Sequence, residues 1–186
     1  MKIRRVTELM VPLSEYAVVN EDATLKQAII TLHEIQTKHD PMAYKHRAVL
    51  VSDSNKDIVG KVSAFDVLRA LEPKYCQIGD SEQLSQMGLS RFGVSNDFLS
   101  SMLTQFCLWD ESVEELVKKA STLKVKEIMY SLSKGEFVDE NATLAEGIHQ
   151  LILGHHQSLL VSKDKKVIGI LRLSDVFKLV CDIMIK

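Results

Sequence analysis

Apolar positions recur along the chain in two rhythms. Leu25, Ala28, Ile29 and Leu32 keep the i, i+3, i+4, i+7 spacing of one helix face. Thr24, with Gln27 three positions on, is a capping-box pattern that fixes where this helix starts. The helix is expected to run to about Thr37, and Asp40-Pro41 closes any helix before it. Upstream, Val6 to Met10 predicts a short helical turn and Ala17-Val18-Val19 a brief strand. Downstream, Ala48-Val49-Leu50-Val51 and Ile58-Val59-Gly60-Lys61-Val62 are short apolar runs parted by the polar stretch 53–57, the pattern of a hairpin. A helix carrying Val67, Leu68 and Leu71 follows Ser63 and stops at Pro73.

The same order returns after residue 122. Val125-Lys126-Glu127-Ile128-Met129 echoes Val6-Thr7-Glu8-Leu9-Met10, and Thr143 with Glu146 repeats the capping box. Leu144, Gly147, Ile148 and Leu151 repeat the helix face. Ser158 to Val161 and Val167 to Leu171 repeat the hairpin. Met10 and Met129, like Thr24 and Thr143, stand 119 positions apart; Val51 and Val161 stand 110 apart, and Asp66 and Asp175 109 apart. The register thus holds inside elements and slips only in loops, as a structural repeat allows. The first copy carries nine extra residues around His39 to Tyr44 and one more in the hairpin turn. The domain reading is a first repeat over 1–72, an insertion over 73–122 and a second repeat over 123–186.

The insertion has no counterpart. Gly79, Gly88 and Gly93 break up its first half. Its second half predicts two amphipathic helices joined near Trp109-Asp110, a helical hairpin. One stripe is Phe98, Leu99, Met102, Leu103 and Phe106; the other, behind a Ser112/Glu115 cap, is Val113, Leu116, Val117 and Ala120. Such stripes cover something: the repeat core, or a partner or dimer surface.

Composition narrows the class. Of 186 residues, 46% are hydrophobic and 26% charged, as in a soluble globular protein. A net charge of -2 and a pI near 6.3 lack the basic excess of a nucleic-acid binder. Residues 1–25 hold no apolar core, so no secretory signal is expected, and no run approaches the roughly 20 apolar residues of a membrane span. Cys76, Cys107 and Cys181 are scattered, which favours free thiols and a cytoplasmic location.

Two stretches carry the candidate chemistry: Gly60-Lys61-Val62-Ser63-Ala64-Phe65-Asp66 and Gly169-Ile170-Leu171-Arg172-Leu173-Ser174-Asp175. Each is a strand end followed by an acid at a helix start. This G-h-h-[ST]-x-x-D signature, with the repeated order of elements, resembles the cystathionine β-synthase (CBS) domain, and the tandem resembles a CBS pair, or Bateman module. The resemblance spans about 1–72 and 122–186. It implies an α/β (α+β) fold of two β-α-β-β-α units, packed sheet to sheet about a pseudo-two-fold axis with clefts between them. It also implies a regulatory module without chemistry of its own, binding AMP, ADP or ATP, with S-adenosylmethionine or NAD as secondary candidates. A flat homodimer and a separate effector protein follow from the same resemblance; nucleic acid and membrane partners do not.

By that resemblance Asp66 and Asp175 receive the ribose hydroxyls, since one carboxylate can accept from both. Ser63 stands at the motif's hydroxyl position, where ribose or phosphate is met; the same Ser63-x-x-Asp66 spacing equally serves as a helix cap. Arg172 departs from the motif. It has no lone pair to cap with, so it binds phosphate, pairs with a carboxylate or is solvated, and the helix is expected to begin one step later with Ser174 and Asp175. The two clefts are therefore expected to be unequal. His46-Arg47, and in part His156-Gln157, match the His-Arg that meets phosphate in nucleotide-binding members, or are exposed loop residues. Ala17, Val18, Ala48 and Val49 in copy one, and Phe137, Val138, Ser158 and Leu159 in copy two, would line the adenine slots or serve as core. His155-His156 lacks ligand spacing for a metal, and no P-loop, GxGxxG or HExxH occurs. No cofactor and no enzyme activity are expected. The alternative is a structural or interaction module with empty clefts, acting through dimer or partner contacts.

Overall fold

The computed structural model describes residues 4–38, 48–77 and 95–185. The glycines 79, 88 and 93, the stretch His39 to Tyr44 and the pair His46-Arg47 lie outside the described residues.

Two four-stranded sheets organise the chain. The first holds β2 (Val18–Asn20), β3 (Ala48–Ser52), β4 (Ile58–Ser63) and β5 (Tyr130–Ser131), in that order. The second holds β1 (Val11–Pro12), β8 (Lys166–Arg172), β7 (Ser158–Lys163) and β6 (Phe137–Asp139). Within each, the first strand runs parallel to the hairpin, with Val18 opposite Leu50 and Phe137 opposite Leu160. The helices are α1 (Leu25–Lys38), α2 (Ala64–Leu71), α3 (Asn96–Gln105), α4 (Val113–Ala120), α5 (Val125–Ile128), α6 (Leu144–Leu153) and α7 (Leu173–Met184). Both capping boxes form: the Thr24 N–H donates to Gln27 Oε1 at 2.8 Å, and the Thr143 N–H to Glu146 Oε2 at 2.7 Å.

The edge strands are exchanged, which the repeat alignment alone does not show. β1 precedes repeat one but pairs with β8 of repeat two, Val11 opposite Ile170 and Pro12 opposite Gly169. β5 precedes repeat two but pairs with β4 of repeat one. The turn before each strand travels with it. Val6 is buried among Val138, Leu144 and Leu159 of unit two, and Val125 among Leu25, Val49 and Val62 of unit one. The bonds obey the pseudo-symmetry. The Leu25 N–H at the start of α1 donates to the Leu123 carbonyl at 2.8 Å, and the Leu144 N–H at the start of α6 to the Arg4 carbonyl at 2.8 Å. Each exchanged segment thus satisfies a helix-end donor that would otherwise be orphaned.

Central strands are buried on both faces, as their unbroken apolar runs require. Val49 and Val51 face the helices of unit one; Leu159, Val161 and Leu171 face those of unit two. Leu50, Leu160 and Ile170 point the other way and meet with Tyr16 in a third cluster that joins the units.

The insertion docks on unit one. Leu116 and Ala120 of α4 are buried and this helix lies against α2, whereas Val113 and Val117 of the same stripe are exposed. No described residue of α3 is fully buried. The joint is a buried carboxylate at the end of α2. Glu72 Oε2 accepts the Trp109 N–H at 2.8 Å, and the Trp109 indole N–H donates to the Tyr75 hydroxyl at 3.0 Å. Trp109 is held at φ 60°, where a bulky L-residue is strained, so these contacts have that strain to offset.

Candidate functional site

The two strand-end acids occupy equivalent positions at the starts of α2 and α7. Their surroundings differ.

At α2, Ser63 is the N-cap in extended backbone, and the capping box closes. Asp66 Oδ2 accepts from the Ser63 N–H at 2.8 Å and from its hydroxyl at 2.6 Å, and the Asp66 N–H donates to Ser63 Oγ at 3.4 Å. All these bonds to the carboxylate fall on one oxygen; Oδ1 accepts no hydrogen bond from the described residues.

At α7 the helix begins at Leu173, not one step later, with Arg172 at the N-cap position in extended backbone and no side-chain cap. None is needed at the first donor, because the Leu173 N–H donates to the Gln157 carbonyl at 3.0 Å. Arg172 instead forks onto Asp175, Nε to Oδ2 at 2.5 Å and Nη2 to Oδ1 at 2.7 Å. Planar guanidinium and carboxylate match in this geometry, which is the stronger form of charge-assisted bond.

Asp175 has company from the other repeat. Tyr16, just before β2, is 7% exposed and packs with Ile170, while the preceding turn Leu13–Glu15 lies against β8. Burial pushes its phenol up to about 12; the nearby Arg172 charge opposes this and the Asp175 charge adds to it. A raised folded-state pKa leaves the contribution intact below the ordinary 10.0 and removes it as pH climbs to about 12. Stability should therefore fall on the order of 2 kcal/mol across that window, and Tyr16→Phe should flatten the fall. Denaturant melts across the alkaline range, with tyrosinate absorbance, check this; equal slopes in both proteins would refute it.

On the other side, Glu136 replaces Ala17 by repeat position and Lys61 replaces Ile170. Lys61 Nζ bonds Glu136 Oε1, and Glu136 Oε2 accepts from the Ser133 N–H at 3.0 Å and hydroxyl at 3.2 Å. Burial would raise this carboxyl, but the Lys61 and Ser133 bonds outweigh it and hold it below its ordinary value of 4.5. The ion pair joins β4 of unit one to the turn Lys134–Glu136 of unit two. The spacing Ser133-x-x-Glu136 is that of a capping box, which forms, but only the contrast with Ala17 at the equivalent repeat position points to its burial.

The remaining candidates divide by burial. Ala17, Val49, Val138 and Leu159 sit within the cores of their units, where only their backbone could meet a ligand. Val18, Ala48, Phe137 and Ser158 are half-buried. His156 is also half-buried and lies over Gly154, its ring where a Cβ on that glycine would stand.

The profile of the CBS domain matches residues 6–73 and 125–182. The chain belongs to the CBS-domain family. It is a tandem CBS module, and its two matched regions flank the inserted helices. Among solved structures, CBSX2 from Arabidopsis thaliana aligns over 100% of this chain and 99% of its own, with a TM-score of 0.59 and 19% identity. A structure of CBSX2 in complex with AMP aligns over 97% and 98%, with a TM-score of 0.57 and 21% identity. A CBS domain-containing protein of unknown function from Bacillus anthracis aligns over 96% and 93%, with a TM-score of 0.60 and 16% identity. At these identities the likeness is one of fold. No curated protein sequence matches the chain.

Proposed function

We propose that this tandem CBS module is a non-catalytic regulatory unit that binds an adenine nucleotide between its repeats and signals by a change in their relative tilt. The observation that carries the reading is the Asp66 carboxylate at the start of α2, whose one oxygen is fixed by its own cap while the other accepts nothing from the described residues. A ribose offers two adjacent hydroxyls to such an acceptor. The fold likeness to a protein solved in complex with AMP supports the ligand class. The half-buried Val18, Ala48, Phe137 and Ser158 would flank the base. His46 and Arg47, by position, would meet phosphate. The nucleotide shifts the repeats only by its differential affinity for their two arrangements.

A calorimetric panel of AMP, ADP, ATP, S-adenosylmethionine and NAD on ligand-free protein tests this. Saturable binding by at least one adenine nucleotide, weakened at least tenfold by Asp66→Ala, is expected. No heat from any of the five would sink the reading.

The same proposal includes a cytoplasmic homodimer formed through α2 and α7, acting on a separate effector. Leu68 and Phe177 occupy equivalent positions on these helices and are 58% and 61% exposed. Paired apolar faces of this kind fit a closed, symmetric contact. Light scattering should report twice the chain mass, falling to one chain mass in Leu68→Glu/Phe177→Glu; a monomer at all concentrations would refute the dimer.

A further inference from the structure

The two inter-repeat clefts differ at the positions that set their room. By repeat position Arg172 answers Ser63, and Tyr16 answers Gly135. One cleft therefore has a guanidinium and a phenol where the other has a hydroxyl and no side chain. We propose that the Asp175 cleft is closed by the chain's own Tyr16 and Arg172, which stand in for a ligand, so that each chain takes one adenine nucleotide, at Asp66. This rests on the adenine-nucleotide reading and assigns it to one of two related sites.

Three observations support the assignment. The Asp175 carboxylate is engaged on both oxygens: the Arg172 fork takes one acceptor site on each, and the two side chains are only 13% and 14% exposed. A ribose diol would compete with the guanidinium for the same carboxylate edge, and displacing it leaves a guanidinium without its carboxylate in a largely desolvated place. Asp66 is bound by its cap through Oδ2 alone. Second, Tyr16 fills the junction. It is buried beside Leu50, Leu160 and Ile170, and the Arg172 and Asp175 charges act on its phenol. Third, Gly135 has no side chain where Tyr16 has a ring. A Cβ built there would make only ordinary contacts, with His156 Nε2 at 3.8 Å and Ser133 Oγ at 3.9 Å. The chain places an aromatic ring on one side where it has only a glycine on the other.

AMP titration by calorimetry tests this in four proteins: wild type, Asp66→Asn, Asp175→Asn and the double variant Tyr16→Gly/Arg172→Ser. Asparagine keeps the shape of each acid and its ability to accept a cap bond; thermal melts confirm that each variant folds. One site per wild-type chain is expected, weakened at least tenfold by Asp66→Asn and moved less than twofold by Asp175→Asn. The double variant, which gives the Asp175 side the Gly and Ser of the other, should gain a second site. Two sites in wild type, or one site lost in Asp175→Asn and kept in Asp66→Asn, overturns the assignment and leaves the nucleotide reading standing. No binding by any of the four, with ADP and ATP equally inert, overturns both.

Discussion

Lys61→Ile unfolds the module more readily by about 3–5 kcal/mol, the cost of breaking a buried ion pair from one side. Glu136 is 2% exposed and Lys61 22%. The lysine can still reach water when its partner is removed, whereas the carboxylate cannot, so loss of the lysine is the worse of the two single changes. Ile is the residue that the repeat places at the equivalent position, Ile170, and Ala17 answers Glu136. The double variant Lys61→Ile/Glu136→Ala therefore installs the apolar residues of the equivalent positions and should recover most of the loss, since replacing a buried ion pair by apolar residues is often near neutral. The pH dependence should weaken in Lys61→Ile. In the wild type the Glu136 carboxyl is held below 4.5, so its contribution is present above that value and lost as pH falls through the folded-state pKa. Without Lys61 only the two Ser133 bonds oppose burial, so the carboxyl moves up from its wild-type position and less stability is lost on acidification. Urea melts from acid to neutral pH read both effects. A single variant within 1 kcal/mol of wild type, by the scale of an exposed pair, would show that the pair is a surface feature.

Gly169→Ala costs about 2 kcal/mol and Gly60→Ala roughly half of that, in the range for overpacking. Both glycines lie where an exchanged edge strand crosses the hairpin. A Cβ on Gly169 meets Met10 Sδ at 2.7 Å and the Val11 carbonyl oxygen at 2.7 Å. A Cβ on Gly60 meets Met129 Sδ at 2.5 Å, but the Tyr130 carbonyl only at 3.1 Å. A thioether end can swing aside, whereas a strand carbonyl moves only with its strand. Met129→Ala should therefore rescue Gly60→Ala, while Met10→Ala should leave Gly169→Ala defective. Equal rescue at both sites, seen in urea midpoints, would contradict the exchanged-strand account. The glycine of the sequence motif thus has a packing reason, separate from any ligand.

The sequence carried the large features because they rest on local signals. Helix faces, two capping boxes and two hairpins follow from spacing, and their duplication made the tandem family legible. Three features escaped for physical reasons. The exchanged strands Val11–Pro12 and Tyr130–Ser131 are two residues long, too short to show a period. The Lys61–Glu136 pair spans 75 positions, beyond any local pattern. Arg172 offers no side-chain cap, which points to a later start for α7, but the Gln157 carbonyl supplies the acceptor from another segment. The Arg172–Asp175 pairing was among the readings open from their spacing alone. That Tyr16 joins it depends on how the two units pack, which no stretch of sequence states.

The measurement that bears most directly on the central claim is a crystal structure of the protein grown with AMP. One nucleotide per chain is expected, its ribose hydroxyls on the Asp66 carboxylate, with the Arg172–Asp175 fork intact on the other side. Nucleotide bound at Asp175 with the fork broken, or none between the repeats at saturating AMP, would contradict it.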